Sequence, residues 1–155
     1  MNGARDMGLT AADIMSREVI TVTPRTGLKE LAEVLSVHRI SGVPVLEEDR
    51  VVGIVSQSDL VAQNKKPHVP AAVTLFDWVI YLESMDRLEE ELKKMAGTKV
   101  GDIMSRKVIS VTPRTPLEEV ATIMAEKKVH TIPVLEEGRL VGVIGKLDIV
   151  RSLLR

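Results

Sequence analysis

The stretch DIMSREVITVTPRT, from Asp13 to Thr26, returns almost unchanged as DIMSRKVISVTPRT from Asp102 to Thr115, an offset of 89 residues (102 − 13). The same offset relates VPVLEEDRVVGIV, beginning at Val43, to IPVLEEGRLVGVI, beginning at Ile132, and it sets Asp59 opposite Asp148. A register that never slips marks a tandem duplication, with all extra length confined to the joint between the copies. Each copy alone is too small to cover a core, so the 155 residues are expected to form two small repeats that pack on one another.

One repeat reads as β-α-β-β-α. VITVT (19–23) and VISVT (108–112) are rich in β-branched residues and stop at Pro24 and Pro113, which predicts a short strand in each copy. Thr115-Pro116-Leu117-Glu118 reads as a helix start with threonine as N-cap, proline at the first helical position and glutamate at the third. Leu117, Val120, Ala121, Ile123 and Met124 then recur at helical spacing, as do Leu28, Leu31, Ala32, Val34 and Leu35. Two apolar strands follow in each copy, joined by Glu47-Glu48-Asp49-Arg50 or by Glu136-Glu137-Gly138-Arg139, where Gly138 suits a turn that needs positive φ. A second short helix is expected near Ser58-Asp59 and near Leu147-Asp148. The fold class is thus α/β, of the α+β kind, with the two repeats related by a pseudo-twofold axis. Repeat boundaries are expected at 9–63 and 98–155.

Composition excludes several functions. A net charge of −1 with mixed signs offers no field for a phosphate backbone or an anionic membrane, so no nucleic-acid and no membrane partner is expected. Cysteine is absent, and the three histidines, His38, His68 and His130, lie far from one another in sequence, so neither thiolate chemistry nor a metal site is expected. The N-terminal stretch lacks the apolar core of a signal peptide, and a cytoplasmic location is the expectation. Ser56, Asp59 and His130 have no nucleophile elbow around them, and GTKVG (97–101) is not a phosphate-binding loop of the Walker type. No catalytic residue and no catalytic cofactor are expected, so the chain reads as a non-enzyme.

DIMS, the strand ending in VTP, the pre-proline SGVPV and HTIPV, the strands VVGIVS and LVGVIG, and the closing aspartates together resemble the cystathionine beta-synthase (CBS) domain. Two in tandem resemble the CBS pair known as a Bateman module. That resemblance implies a non-enzymatic sensor of adenosine-containing ligands (AMP, ADP, ATP, S-adenosylmethionine), bound in two clefts between the repeats. It implies a first cleft with Asp59 on the ribose and Ser56 near the phosphate, faced by Val108, Ile109, Thr112, His130 and Thr131. The second cleft would use Asp148 and Lys146, faced by Val19, Ile20, Thr23, Ser41 and Gly42. Gly145 replaces the hydroxyl residue there, so the first cleft is expected to favour a charged nucleotide.

Plainer roles stand beside these. An aspartate at a helix start often caps it, which is compatible with binding. A structural or protein-interaction module with vestigial clefts is the alternative function. The joint, 64–97, is expected to hold one long helix over about 71–96, with Leu75, Val79, Leu82, Met85, Leu88, Leu92 and Met95 on one side. All three aromatics, Phe76, Trp78 and Tyr81, fall on it and cannot share one face. A homodimer is the expected assembly, with a separate effector protein as the regulated partner.

Overall fold

The computed structural model describes residues 8–63 and 97–154. The expected joint helix, with its aromatics, lies outside the described residues. Among the described residues ten elements follow in chain order: α1 Ala11–Ile14, α2 Leu28–Val37, β1 Gly42–Glu47, β2 Arg50–Ser56, α3 Gln57–Gln63, α4 Val100–Ile103, α5 Leu117–Lys127, β3 Thr131–Glu136, β4 Arg139–Gly145 and α6 Lys146–Ser152. Helices and strands mix as the alternation of patterns requires. Among the described residues no helix is long and apolar enough to cross a membrane.

Each repeat centres on an antiparallel hairpin, β1 with β2 and β3 with β4. Both carry a bulge at the same place: Val45 pairs with Gly53 but Leu46 with Val51, and Val134 pairs with Gly142 but Leu135 with Leu140. Two-residue turns close them, with φ positive at Glu48 (51°) and Asp49 (65°), and at Glu137 (50°) and Gly138 (79°). Positive φ at both central residues is what lets such a tight turn match the strand twist.

The predicted strands at 19–23 and 108–112 shrink to a single parallel bridge each, Val22 to Val45 and Val111 to Val134. Two prolines explain this. The Val22 N–H donates to the Pro44 carbonyl (3.2 Å), and the Leu46 N–H donates to the Val22 carbonyl (2.8 Å). Continuing the ladder backward would need an N–H on Pro44, and continuing it forward would need one on Pro24; neither has it. Pro133 and Pro113 clip the second copy in the same way.

The helix start at Thr115 also differs from expectation. Pro116, not Thr115, is the N-cap residue of α5. The Thr115 hydroxyl instead accepts the Thr112 N–H (3.0 Å), as the Thr26 hydroxyl accepts the Thr23 N–H (3.0 Å). A serine or threonine oxygen can serve a turn or a helix end, and here the turn takes it.

The two cores do not follow the two sequence repeats. Val100 and Met104, from the start of the second copy, are buried with Leu28, Leu31, Leu35, Val43, Val45 and Val55 of the first. Ala11 and Ile14, from the start of the first copy, are buried with Val120, Met124, Ile132, Val134 and Ile144 of the second. Each repeat therefore lends its DIM helix to the other. Matching backbone bonds fasten the exchange: the Val100 and Gly101 N–H groups donate to the Thr26 (2.8 Å) and Pro24 (2.9 Å) carbonyls, and those of Ala11 and Ala12 to Thr115 (2.8 Å) and Pro113 (3.0 Å). The first N–H groups of a helix lack partners within it, and the TPRT turns supply carbonyls for them. Asp13 and Asp102 finish the job by accepting the Thr10 (2.7 Å) and Lys99 (2.8 Å) N–H groups.

The serine after each helix then joins the other repeat's sheet. Ser16 exchanges backbone bonds with Val143 (2.8 and 3.0 Å), and Ser105 does so with Ile54 (2.8 and 3.0 Å). Glycine next to these sites is a packing requirement: a Cβ on Gly53 would sit 2.6 Å from the Met104 sulfur and 2.9 Å from the Ser105 carbonyl oxygen. Gly142 is crowded in the same manner by Met15.

The paired turns generate a stability prediction. Asp49 holds a left-handed backbone that its counterpart Gly138 adopts freely. Asp49→Gly is expected to stabilise the fold by about 0.5–1 kcal/mol, the left-handed penalty of an L residue less glycine's extra chain entropy. In a thermal melt this raises Tm by roughly 1–4 °C. A lower Tm would contradict the reading of the turn.

Candidate functional site

A cavity lies where an exchanged segment runs past the opposite repeat. Ser16 is bonded to Val143 of β4, and Ser16, Glu18 and Ile20 line one cavity together with Lys146, Leu147 and Asp148 at the start of α6. Ser105 is bonded to Ile54 of β2 in the same way, and Asp59, at the start of α3, is the repeat equivalent of Asp148.

A cavity of about 590 Å³ opens beside Asp148 between the two repeats. That size suits a small organic ligand, for which pockets of roughly 300–1,000 Å³ are usual. Five residues expected of the second cleft line it: Ile20, Ser41, Gly42, Lys146 and Asp148. Val19 and Thr23 are not among its lining residues. The Thr23 hydroxyl is engaged in its own turn, accepting the Arg25 N–H at 3.2 Å. His130 and Thr131, expected with the first cleft, also line this cavity.

Their position explains the overlap. β1 touches β3 and β2 touches β4, and at this seam the Ser41 and Thr131 hydroxyls stand 3.5 Å apart. Ser41 and His130 are repeat equivalents (41 + 89 = 130), and their carbonyls do the same task, accepting the Gln57 (2.9 Å) and Lys146 (3.1 Å) N–H groups. The entry into β1 and the entry into β3 thus form a wall common to both halves of the molecule.

On the other side, Asp59 accepts the Ser56 N–H (2.8 Å) and hydroxyl (3.2 Å) through the same oxygen, Oδ2. Asp148 accepts the Gly145 N–H (2.7 Å), again through Oδ2. Each aspartate therefore caps its helix, and among the described residues each Oδ1 is left without a hydrogen bond. Ser56 directs its hydroxyl at Asp59. Val108 and Ile109 are half-buried, and Thr112 shares its hydroxyl with Thr115 at 3.3 Å.

The sequence reading missed several lining residues: Glu18, His38, Arg39, Gln57 and Arg151. One sequence signal pointed to Arg151, and none to Arg39. Arg151 follows Asp148 by three residues, one turn along the same helix face. Arg39 and its equivalent Lys128 sit just past α2 and α5, at φ 52° and 54°, where glycine is the usual helix stop. Among the described residues no group of histidine, aspartate and glutamate could hold a metal ion.

Comparisons with known proteins agree with this architecture. The family model for the CBS domain matches residues 11–65 and 100–155. The chain is 32% identical over 161 residues to CBSX1, a chloroplastic CBS domain-containing protein of Arabidopsis thaliana, aligning over 94% of this chain and 64% of that protein. It is 29% identical over 151 residues to an uncharacterised protein of Methanocaldococcus jannaschii, over 92% of this chain and 89% of the relative. Among solved structures, CBSX2 in complex with AMP superposes with a TM-score of 0.70 at 27% identity, covering 95% of this chain and 97% of that one; CBSX2 is also an A. thaliana protein. With a matched model over both repeats and the same fold in a solved pair, the chain belongs to the CBS domain family and carries the CBS domain twice.

Proposed function

We propose that the chain is a non-enzymatic sensor module that binds adenosine-containing ligands between its two repeats, with 9–63 and 98–155 as the repeats and 64–97 as the joint. One observation carries this reading: the cavity of about 590 Å³ beside Asp148 has an uncommitted carboxylate oxygen on one wall and uncommitted backbone on the other. The single-bridge geometry around Val22 leaves the Ile20 N–H and carbonyl with no protein partner among the described residues. A heterocycle edge needs such a donor and acceptor, and a ribose diol needs a carboxylate. The AMP complex of the relative CBSX2, at 27% identity, supports the choice of ligand class. Asp59, with Val108 and Ile109 across from it, is proposed as the equivalent second site. Binding changes the balance between arrangements of the repeats only so far as the ligand prefers one of them. A separate effector protein would read that change.

Asp148→Asn tests the site without removing the cap, because the amide oxygen can still accept the Gly145 N–H. Calorimetry on protein stripped of carried-over ligand is expected to show adenosine binding weakened by tenfold or more, about 1.4 kcal/mol, with the melting temperature of the free protein little changed. Unaltered binding would remove Asp148 from the site.

A second reading concerns assembly. Val61 on α3 and Val150 on α6 occupy equivalent repeat positions and are 58% and 49% exposed, and Leu147 (59%) and Leu153 (78%) add to the apolar surface around α6. Exposed apolar side chains grouped on equivalent helices suit an association surface. A homodimer formed through these helices is proposed as the resting assembly. The double substitution Val61→Lys and Val150→Lys is expected to convert a dimer into a monomer in sedimentation velocity. A wild-type chain that sediments as a monomer would refute the dimer outright.

A further inference from the structure

Methionine closes both lent helices: Met15 is the C-cap residue of α1, and Met104 is that of α4. Each thioether lies over a glycine of the opposite hairpin. A Cβ on Gly53 would meet the Met104 sulfur before any other atom, and one on Gly142 would meet the Met15 sulfur first and its Cγ next, at 2.8 Å. These glycines pair across their hairpins with Val45 and Val134, both fully buried. The sulfur is thus part of the fit between lent helix and host hairpin. An unbranched, apolar thioether suits such a narrow gap.

The two seats differ in one respect. Among the described residues the methionines are Met15, Met104 and Met124; Met104 and Met124 are 9% and 8% exposed, whereas Met15 is half-buried. Solvent reaches Met15 more readily than its repeat equivalent (15 + 89 = 104). With no cysteine in the chain, the thioethers are its only sulfur. Met15 also stands next to Ser16, whose N–H donates to the Val143 carbonyl (2.8 Å) and whose carbonyl accepts the Val143 N–H (3.0 Å).

We propose that Met15 is an oxidation-sensitive switch that decides whether α1 stays seated on the second repeat. The oxidant is a peroxide. Its outer oxygen passes to the Met15 sulfur: the O–O bond breaks, an S–O bond forms, the sulfur gives up two electrons, and the other oxygen of hydrogen peroxide leaves as water. The product is a polar sulfoxide in place of an apolar side chain. Met15 packs against the core of Val134, Ile132 and Ile144, and a polar group there is better placed in water. Oxidation therefore favours release of α1. Release moves Ser16, Glu18 and Ile20, which line the Asp148 cavity, so that cavity loses one wall. The less exposed Met104 keeps α4 in place on the first repeat. None of this depends on which ligand the cavity takes.

The test treats the full chain with hydrogen peroxide, locates the added oxygen by peptide mass spectrometry, and reads exchange at single amides. Met15 is expected to oxidise severalfold faster than Met104 and Met124. Once it has, the Ser16 and Val143 amides are expected to exchange roughly tenfold faster or more, with Ser105 and Ile54 still protected. Met15→Leu keeps the volume and removes the sulfur. Its Ser16 amide should stay protected through the same treatment, which separates Met15 from the other methionines that peroxide oxidises. Methionine sulfoxide reductases of both epimer specificities should restore slow exchange to the wild type. Met15 reacting no faster than Met104, or a Ser16 amide that stays protected in the oxidised wild type, would overturn the proposal without recourse to the variant. Equal acceleration in Met15→Leu would do the same, as would exchange that remains fast after the oxygen has been removed.

Discussion

Everything that makes a site in this molecule depends on the reciprocal loan of a four-residue helix. Ala11 and Ile14 complete the core of the second repeat, and Val100 and Met104 complete that of the first. A large aliphatic side chain buried in this way contributes about 1.5–3 kcal/mol, so neither repeat reaches its full core without the other. The same loan carries Ser16 onto β4 and Ser105 onto β2, and Glu18 and Ile20, which follow Ser16, line a cavity with the start of α6. That cavity between the repeats is therefore a by-product of how the cores are filled.

Prolines then keep the clefts chemically open. Had the 19–23 segment paired along its whole length, the Ile20 backbone groups would be spent on the sheet. Pro24 and Pro44 restrict pairing to Val22, and Pro113 and Pro133 repeat the device at Val111. On the facing side, capping consumes only Oδ2 of each aspartate. The capping role leaves room for the proposed binding role because a carboxylate has more acceptor capacity than one cap requires. The arrangement suits the proposed sensor, since the residues lining the Asp148 cavity belong to both repeats.

Much of this was legible in the residues, and the failures have specific causes. The duplication, the hairpins and the buried faces of α2 and α5 follow from repeat register, β-branched runs and helical spacing. The exchange was hidden because α1 and α4 are four residues long and show no periodicity, while their seats, near Val143 and Ile54, are distant in sequence. Thr115 was misjudged because its hydroxyl has two local uses and the turn with Thr112 prevailed. In the cavity, Ile20, Ser41, Gly42, Lys146 and Asp148 came from repeat equivalence and family resemblance. Arg39, which also lines it, did not, because it follows α2 at a positive φ that no sequence pattern announces for arginine.

The most direct test of this account is native-state hydrogen exchange read at single amides. If the lent helices are integral to the cores, the Ser16, Val143, Ser105 and Ile54 amides exchange only through global unfolding, together with the amides that pair β1 to β2 and β3 to β4. Fast exchange at Ser16 and Ser105, with the two hairpins still protected, would mean that the exchanged segments detach on their own, and the clefts could not be the fixed consequence of core packing described above.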